Sequence, residues 1–142
     1  MRILGLILVL WATMASAHAQ YSGNDPCQSM AKSVVAISQT TNTKLFSAVS
    51  GKIAYICSFQ IVPADAENVS LVEGTGSTCG SNTAAVIGGA AAANGPNLAA
   101  NGALIMGDGS ATIASGTHTA YDVCLFQSGS GRVAGAMTYV QR

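Results

Sequence analysis

Residues 73–81, EGTGSTCGS, place three glycines around one cysteine. Glycine-rich loops bind phosphate when they lie between a buried strand and a helix N-terminus, with a lysine followed by serine or threonine close by. Here no helical pattern follows the loop and no lysine is near it. We therefore predict that the glycines supply positive φ in a wide loop that presents Cys79 to another sulfur.

The four cysteines are Cys27, Cys57, Cys79 and Cys124, separated by 30, 22 and 45 residues. A zinc site needs ligands paired at short spacing, such as C-x2-C, and His118 is the only histidine beyond the N-terminal segment. An even number of widely spaced cysteines is typical of disulfides formed in an oxidising compartment. We predict two disulfides, no metal and no cofactor, and the residues alone leave the three possible pairings open.

A Ser-His-Asp site would have to use His118, with Asp108 or Asp122 as its partner. The chain has no G-x-S-x-G nucleophile elbow, and no pattern places a base beside a nucleophile. The segment SGTHTAYD is typical of an exposed loop. We therefore expect His118 to be a solvated side chain.

A glycosidase needs two carboxylates at a fixed separation. Glu73 and Asp122 both occur in strand patterns and could face each other, but we expect solvent-facing positions on an edge or an outer face. Asp108, in MGDGSA, is a single carboxylate where calcium takes six to eight oxygens, so we interpret it as a turn residue. With no catalytic set in the sequence, we predict that the protein is not an enzyme.

The first nineteen residues, MRILGLILVLWATMASAHA, have the pattern of a secretory signal peptide. Arg2 precedes an apolar run of about a dozen residues, and Ala17-His18-Ala19 supplies a cleavage site before Gln20. The run is shorter than the ~20 residues that a membrane-spanning helix needs. We predict export and cleavage, a lead-in over 20–32, and a single domain over 33–142.

Charged residues make up only 8% of the chain, with six basic and six acidic side chains. No run of lysine or arginine exists, so the sequence offers no basis for capture of nucleic acid or anionic lipid. A surface with so little charge provides weak repulsion between copies. We expect a homo-oligomer that does not span a membrane.

From Ser33 onward the sequence pattern is that of β-strands. The clearest strand, KIAYICSFQIV over 52–62, alternates so that Tyr55, Cys57, Phe59 and Ile61 would share one face. NVSLVEG predicts a returning strand, and two short strands are predicted near 84–88 and 103–106 within the alanine- and glycine-rich middle. The last two strands, over 120–127 and 133–140, are predicted to form a hairpin. We expect an all-β antiparallel sandwich with less than a tenth of the domain in helix.

The ordered motifs C-x5-S-x3-I, GK-I-x-Y-I-C, GTGSTCG, D-V-C-L and V-x-G-x-M-T-Y-V span 27–141. This string resembles a group of short secreted or phage-like proteins without an assigned activity. The resemblance implies a jelly-roll β-sandwich with four cysteines in two disulfides. In that arrangement Cys79 would lie close to Cys124, leaving Cys27 to pair with Cys57; the alternative is Cys57–Cys79 with Cys27–Cys124.

The leading hypothesis for function is a secreted, non-enzymatic structural or surface-assembly module that associates with itself. The alternative is a carbohydrate- or cell-surface-binding module, because jelly rolls often bind glycans. Such sites stack aromatic rings on sugars, and the only tryptophan, Trp11, lies in the predicted signal peptide. The absence of tryptophan from the mature chain favours assembly over glycan binding.

Overall fold

The computed structural model describes residues 25–142; the predicted signal peptide, its cleavage site and residues 20–24 of the lead-in lie outside this range. Strands make up 50% of the described residues and helix 6%, as predicted. None of the helices in this range has the length and apolar character required to cross a membrane. The elements in chain order are α1 Pro26–Ser29, β1 Ser33–Gln39, β2 Thr43–Phe46, β3 Ala54–Pro63, β4 Glu67–Thr75, β5 Ser81–Ile87, a 3-10 turn Ala92–Asn94, β6 Asn97–Leu98, β7 Leu104–Met106, β8 Ala114–Ser115, β9 Asp122–Gln127 and β10 Val133–Gln141.

These strands form two antiparallel sheets. The first sheet has the order β1-β10-β3-β7, with β8 also paired to β3, and the second has the order β2-β9-β4-β5, with β6 also paired to β4. Strands β1, β2, β3 and β4 alternate between the two sheets, as do β9 and β10. This wrapping of eight principal strands is the topology of a jelly roll, and it confirms the predicted fold class.

Aliphatic side chains from the two inner faces fill the space between the sheets. Ile56, Phe59 and Ile61 of β3 face Leu71 of β4 and Leu125 of β9, and all five are fully buried or nearly so. Alternation along each strand sends every second side chain into this layer. The core therefore depends on Ile, Leu, Val and a few aromatic rings, as the composition predicts.

The alternation of inward and outward side chains along β3 reverses at Cys57. Ser58 pairs with Thr138 and Ile56 with Tyr139, so Cys57 is an extra residue in a β-bulge. The bulge turns Ile56 into the core and Cys57 to the outer side, where it packs with Cys27 and Val140. The prediction that Tyr55 and Cys57 share a face with Phe59 is therefore wrong, because uninterrupted alternation was assumed.

The predicted terminal hairpin is also wrong. Strand β9 pairs with β2 and β4 in the second sheet, whereas β10 pairs with β1 and β3 in the first. The connection over 128–132 crosses from one sheet to the other, and a loop of that length serves either purpose. Because the chain crosses, β9 and β10 each form hydrogen bonds with two other strands, and these bonds favour the crossing over pairing of β9 with β10.

The lead-in contains one helical turn that the sequence did not predict. Asp25 caps α1 by accepting a hydrogen bond from the Cys27 amide at 2.8 Å. The same carboxylate accepts from the Thr112 amide at 2.9 Å and from the Thr112 hydroxyl at 2.6 Å. These bonds fix α1 to the segment that precedes β8, and the Thr112 hydroxyl lowers the pKa of Asp25.

Candidate functional site

The structure pairs Cys27 with Cys57 and Cys79 with Cys124, with Cα separations of 5.5 and 6.0 Å. These are the pairings that the jelly-roll resemblance implies, and no cysteine of residues 25–142 is free. All four cysteines are buried. Two such bonds indicate a chain that matures in an oxidising compartment.

The loop EGTGSTCGS is held by its sulfur and by its own hydrogen bonds. Gly76 and Cys79 have positive φ, +90° and +54°, so the predicted left-handed backbone occurs at one of the three glycines and at the cysteine itself. Thr83 donates its hydroxyl to the Cys79 carbonyl at 2.6 Å. A Cβ at Gly74 would lie 2.8 Å from that carbonyl oxygen, so Gly74 lets the loop pack flat on β4. These contacts assign the loop a structural role.

Glu73 and His118 form the most elaborate polar cluster of the described residues. His118 Nδ1 lies 2.7 Å from Glu73 Oε1, and Thr117 donates its amide at 2.9 Å and its hydroxyl at 2.8 Å to the same oxygen. An ionised carboxylate only accepts hydrogen bonds, so Nδ1 carries the proton. The His118 ring stacks on Tyr121 at a centroid distance of 4.5 Å.

This cluster corrects two predictions. Glu73 is not solvent-facing: its side chain is only 2% exposed and points into the end of the sandwich. His118 is half-exposed but is fixed by the carboxylate and by Tyr121, so it is not a freely solvated side chain. Gly116 in the SGTH segment allows the backbone to close over Glu73, because a Cβ at this position would clash with the carboxylate. Strand alternation alone does not reveal this.

The pKa of Glu73 is set by two opposing effects. Burial raises the pKa, because desolvation disfavours the charged form, while the hydrogen bonds from His118 and Thr117 lower it. The donors prevail and hold the pKa of Glu73 below its ordinary value of 4.5. The Thr117 hydroxyl also lies 2.9 Å from His118 Nδ1. Together these contacts tie the loop over 116–118 to Glu73 on β4, so the cluster latches that loop to the sheet.

Asp122 does not face Glu73. It lies opposite Gly74 in the pairing of β4 with β9, and its carboxylate binds Lys44 Nζ and the Ala48 amide, both at 2.8 Å. Burial raises the pKa of Asp122, and the Lys44 and Ala48 hydrogen bonds reverse that effect and lower it. Asp108 accepts hydrogen bonds from the amide and hydroxyl of Ser110, as expected for a turn.

Glu67 is a second buried carboxylate, at the opposite end of β4. Its Oε2 accepts one hydrogen bond, from the Gly129 amide at 3.1 Å, while its Oε1 is buried without a partner among residues 25–142. The neighbouring Gln127 donates to the carbonyls of Gly129 and Gly131, and its own Oε1 is likewise unpaired. This end of the sandwich is therefore less completely hydrogen-bonded than the Glu73 end.

The outer faces of the two sheets differ in what lies on them. On the second sheet, Val72 and Phe126 pack around the Cys79–Cys124 disulfide. The alanine- and glycine-rich segment crosses beside them: Ser70 donates to the Ala91 carbonyl at 3.1 Å, and Gly95 lies so close to Val69 that a Cβ would clash with its carbonyl. The segment thus covers the outer face of the second sheet, and this close packing explains why the segment has small side chains.

The outer face of the first sheet is covered at one end only, where Cys27 of α1 packs on Cys57 and Val140. Elsewhere ten outward positions form what we term the open face. These ten positions carry no charged side chain, and Arg132 lies at their rim, where it lines a small hollow together with Val62 and Ala134. The members of the open face are Val34, Ala36, Ser38, Ser58, Gln60, Val62, Ile105, Ala134, Ala136 and Thr138.

Large apolar side chains are exposed on the open face. Val34 and Ile105, at its two edges, are 71% and 70% exposed, and Val62 is 40% exposed. Between Ile105 and Val62 lies a shallow groove of about 270 Å³, whose lining also includes Gln60 and Ala103. Exposed apolar side chains on a contiguous patch mark interaction sites more often than isolated ones do.

Sequence reasoning missed the open face, although part of the signal was present. The alternation of Val34, Ala36 and Ser38, and that of Ala134, Ala136 and Thr138, define uncharged outward rows. Their adjacency depends on β1 pairing with β10 across about a hundred residues of chain, for example Ala36 with Ala136. That long-range pairing is not visible in either segment alone.

No protein-family model, no characterised protein and no solved structure matches this chain. The implied kinship with phage-like proteins therefore has no support from these comparisons and stays a prediction. The fold and the two disulfides are observed directly in the structure.

Proposed function

We propose that this protein is an exported, non-enzymatic structural module that associates with copies of itself through the open face. The observation that carries the proposal is the absence of charge from ten contiguous outward positions, beside Val34 and Ile105 side chains that are more than two-thirds exposed. In an interface between two identical surfaces, charges close to the two-fold axis lie near their own copies and repel each other. The ten positions of the open face carry no charge and avoid this repulsion.

The contrast between the two sheets supports the same function. The second sheet is covered by the chain itself, through the disulfide and the segment around Ala91 and Gly95. The first sheet buries only one end of its outer face, beneath the turn anchored by Cys27. An exposed uncharged sheet in a disulfide-bonded module is suited to a partner supplied from outside.

The size of the open face sets the expected strength. The patch spans four strands about 4.8 Å apart and is about five residues long, so it measures roughly 20 by 17 Å. Stacking two such patches buries on the order of 700 Å² in total, which is below the roughly 1,200 Å² of a standard specific interface and typical of weak contacts. We expect weak dimers in dilute solution and firm assembly where the local concentration is high.

Glycan binding has less support from the geometry. Phe46 and Phe59 are buried, and Tyr55, Tyr121, Phe126 and Tyr139 are only partly exposed. Tyr139 stacks on Phe46 in the interior at 3.7 Å. None of these rings is presented on the open face for stacking on a sugar.

The test is light scattering after size exclusion on the oxidised protein comprising residues 20–142, across a range of concentrations. Gln60→Lys places one charge in the middle of the open face, and Thr119→Lys places the same charge on an exposed loop elsewhere. We expect Gln60→Lys to weaken self-association at least about tenfold, because a buried unpaired charge costs several kcal/mol. Thr119→Lys should leave it unchanged.

Two results would overturn the proposal. One is a protein that stays monomeric at every concentration. The other is equal self-association in both lysine variants, which would place the interface elsewhere. Circular dichroism and the thermal midpoint of each variant establish that the fold is retained.

A further inference from the structure

The open face has a gradient of side-chain size across its strands. The central row runs Ala36 on β1, Ala136 on β10, Gln60 on β3 and Ile105 on β7, each in register with the next. Two small side chains thus lie on one half of the sheet and two large ones on the other half.

One neighbouring row repeats the pattern, because Ala134 on β10 lies beside the larger Val62 on β3. The third row does not repeat it: Val34 on β1 is larger than Thr138 and Ser58, whose hydroxyls are 2.7 Å apart. Over the first two rows the face therefore slopes from a low half, β1 and β10, to a high half, β3 and β7.

We infer that two copies stack open face to open face, about a two-fold axis that lies along the strands between β10 and β3. This inference rests on the proposed self-association. Such an axis brings β1 of one copy over β7 of the other, and β10 over β3. Ile105 of each copy then packs on Ala36 of its partner, and Gln60 packs on Ala136.

Packing density selects this axis over the other in-plane two-fold. Layers pack without voids when large side chains meet small ones across the interface. An axis perpendicular to the strands would set Ile105 against Ile105 and Ala36 against Ala36, which separates the low halves and leaves a gap. The groove between Val62 and Ile105 gives the partner's β10 and β1 side chains room to approach.

Disulfide trapping tests the arrangement. Ala36→Cys and Ile105→Cys are made as two separate proteins, each keeping its buried native disulfides. In the inferred dimer, Ala36 of one copy faces Ile105 of the other, whereas like positions lie three strand spacings, about 14 Å, apart laterally. A disulfide needs Cβ atoms about 4 Å apart. Mild oxidation of a 1:1 mixture should therefore give mainly the mixed cross-linked dimer.

Matched controls separate the possible outcomes. Thr119→Cys mixed with Ile105→Cys should give only background cross-linking. Preferential Ile105→Cys homodimers would overturn the inferred axis and leave the proposed function intact. So would wild-type self-association with no trapped mixed dimer. A wild-type protein that is monomeric at every concentration would overturn both the axis and the proposed function.

A size exchange provides a second readout that needs no cross-link. Ala36→Ile alone should weaken association, because two large side chains then compete for one position, and Ile105→Ala alone should weaken it by leaving a void. The double variant A36I/I105A restores the pairing of large with small, so its association constant should return to within about threefold of wild type. Additive weakening in the double variant would contradict the inferred contact.

Discussion

Glu67 and Glu73 lie on the same face of the same strand, at opposite ends of the sandwich, and both are almost fully buried. Glu73 receives hydrogen bonds from the backbone and side chain of Thr117 and from His118. Glu67 receives one, from Gly129, and its second oxygen has no partner among residues 25–142. Two glutamates on the same face of one strand therefore have different environments.

The difference arises from the loops that close the two ends. The segment that covers Glu73 presents two amides, a hydroxyl and an imidazole to the carboxylate. The segment SGSGR at the other end is rich in glycine and serine and directs one amide to Glu67. A buried carboxylate stabilises a fold only when donors replace the water that it loses. We expect the Glu73 end to be the more sensitive to mutation.

The largest effect should follow loss of the disulfide beside the Glu73 end. The variant C79S/C124S removes a link between residues separated by 45 positions. The chain-entropy model assigns such a link about 4 kcal/mol of unfolding free energy. Urea unfolding of the variant measures this loss. A loss below about 1 kcal/mol would mean that packing and the Thr83 hydrogen bond hold the loop without the sulfur.

Glu73→Gln should have the next largest effect. The glutamine amide group would meet donors from Thr117 or His118 instead of a carboxylate oxygen, which leaves buried donors unpaired. We expect a loss of about 1–3 kcal/mol at neutral pH, measured by urea unfolding. Glu67→Gln is the matched control, because it makes the same change on the same face of the same strand.

The pH profile provides a second signature of Glu73→Gln. The folded-state pKa of Glu73 is lowered from 4.5, so its stabilising contribution is complete above that value and is lost as pH falls through the folded-state pKa. Wild-type stability should therefore fall on acidification, and the variant should show a shallower fall. Asp25, Asp108 and Asp122 also have lowered pKa values, so part of the slope should remain. An unchanged slope would contradict the latch.

Glu67→Gln should have the smallest effect. It replaces an oxygen without a partner by an amide nitrogen, while the other oxygen can keep the hydrogen bond from the Gly129 amide. We expect a change within about 1 kcal/mol, neutral or stabilising, in the same urea titrations. A loss equal to that of Glu73→Gln would show that the two ends are equally dependent on their carboxylates.

Structural features that depend on the local sequence pattern could be predicted from the sequence. Strand β4 and the short strands β5 and β7 match the predicted segments closely, because apolar residues and glycine turns mark them within a few positions. The bulge at Cys57 was not predictable, because a single extra residue leaves no mark on an alternating run of apolar side chains. The terminal hairpin failed for a related reason: neighbouring strands with a short loop can pair or separate, and distant strands decide between the two.

The candidate site was less accessible from sequence than the fold. Glu73 and His118 are 45 residues apart, and each has the local context of an exposed polar residue. The open face combines β1 and β10 from opposite ends of the domain with β3 and β7 from its middle. Each contributes an unremarkable alternation of small and apolar residues. Only their adjacency turns these rows into a contiguous uncharged surface.

The amino-acid sequence by itself determined the all-β class, the presence of two disulfides, the low charge and the approximate strand segments. These follow from composition and from periodicities of a few residues, which reflect the local backbone and the partition of apolar side chains. The tertiary structure decided which cysteines are joined, which glutamate is fully hydrogen-bonded and which sheet face stays open. Those properties depend on contacts between distant residues, because burial and donor supply at a side chain are set by whichever strands and loops the fold places beside it.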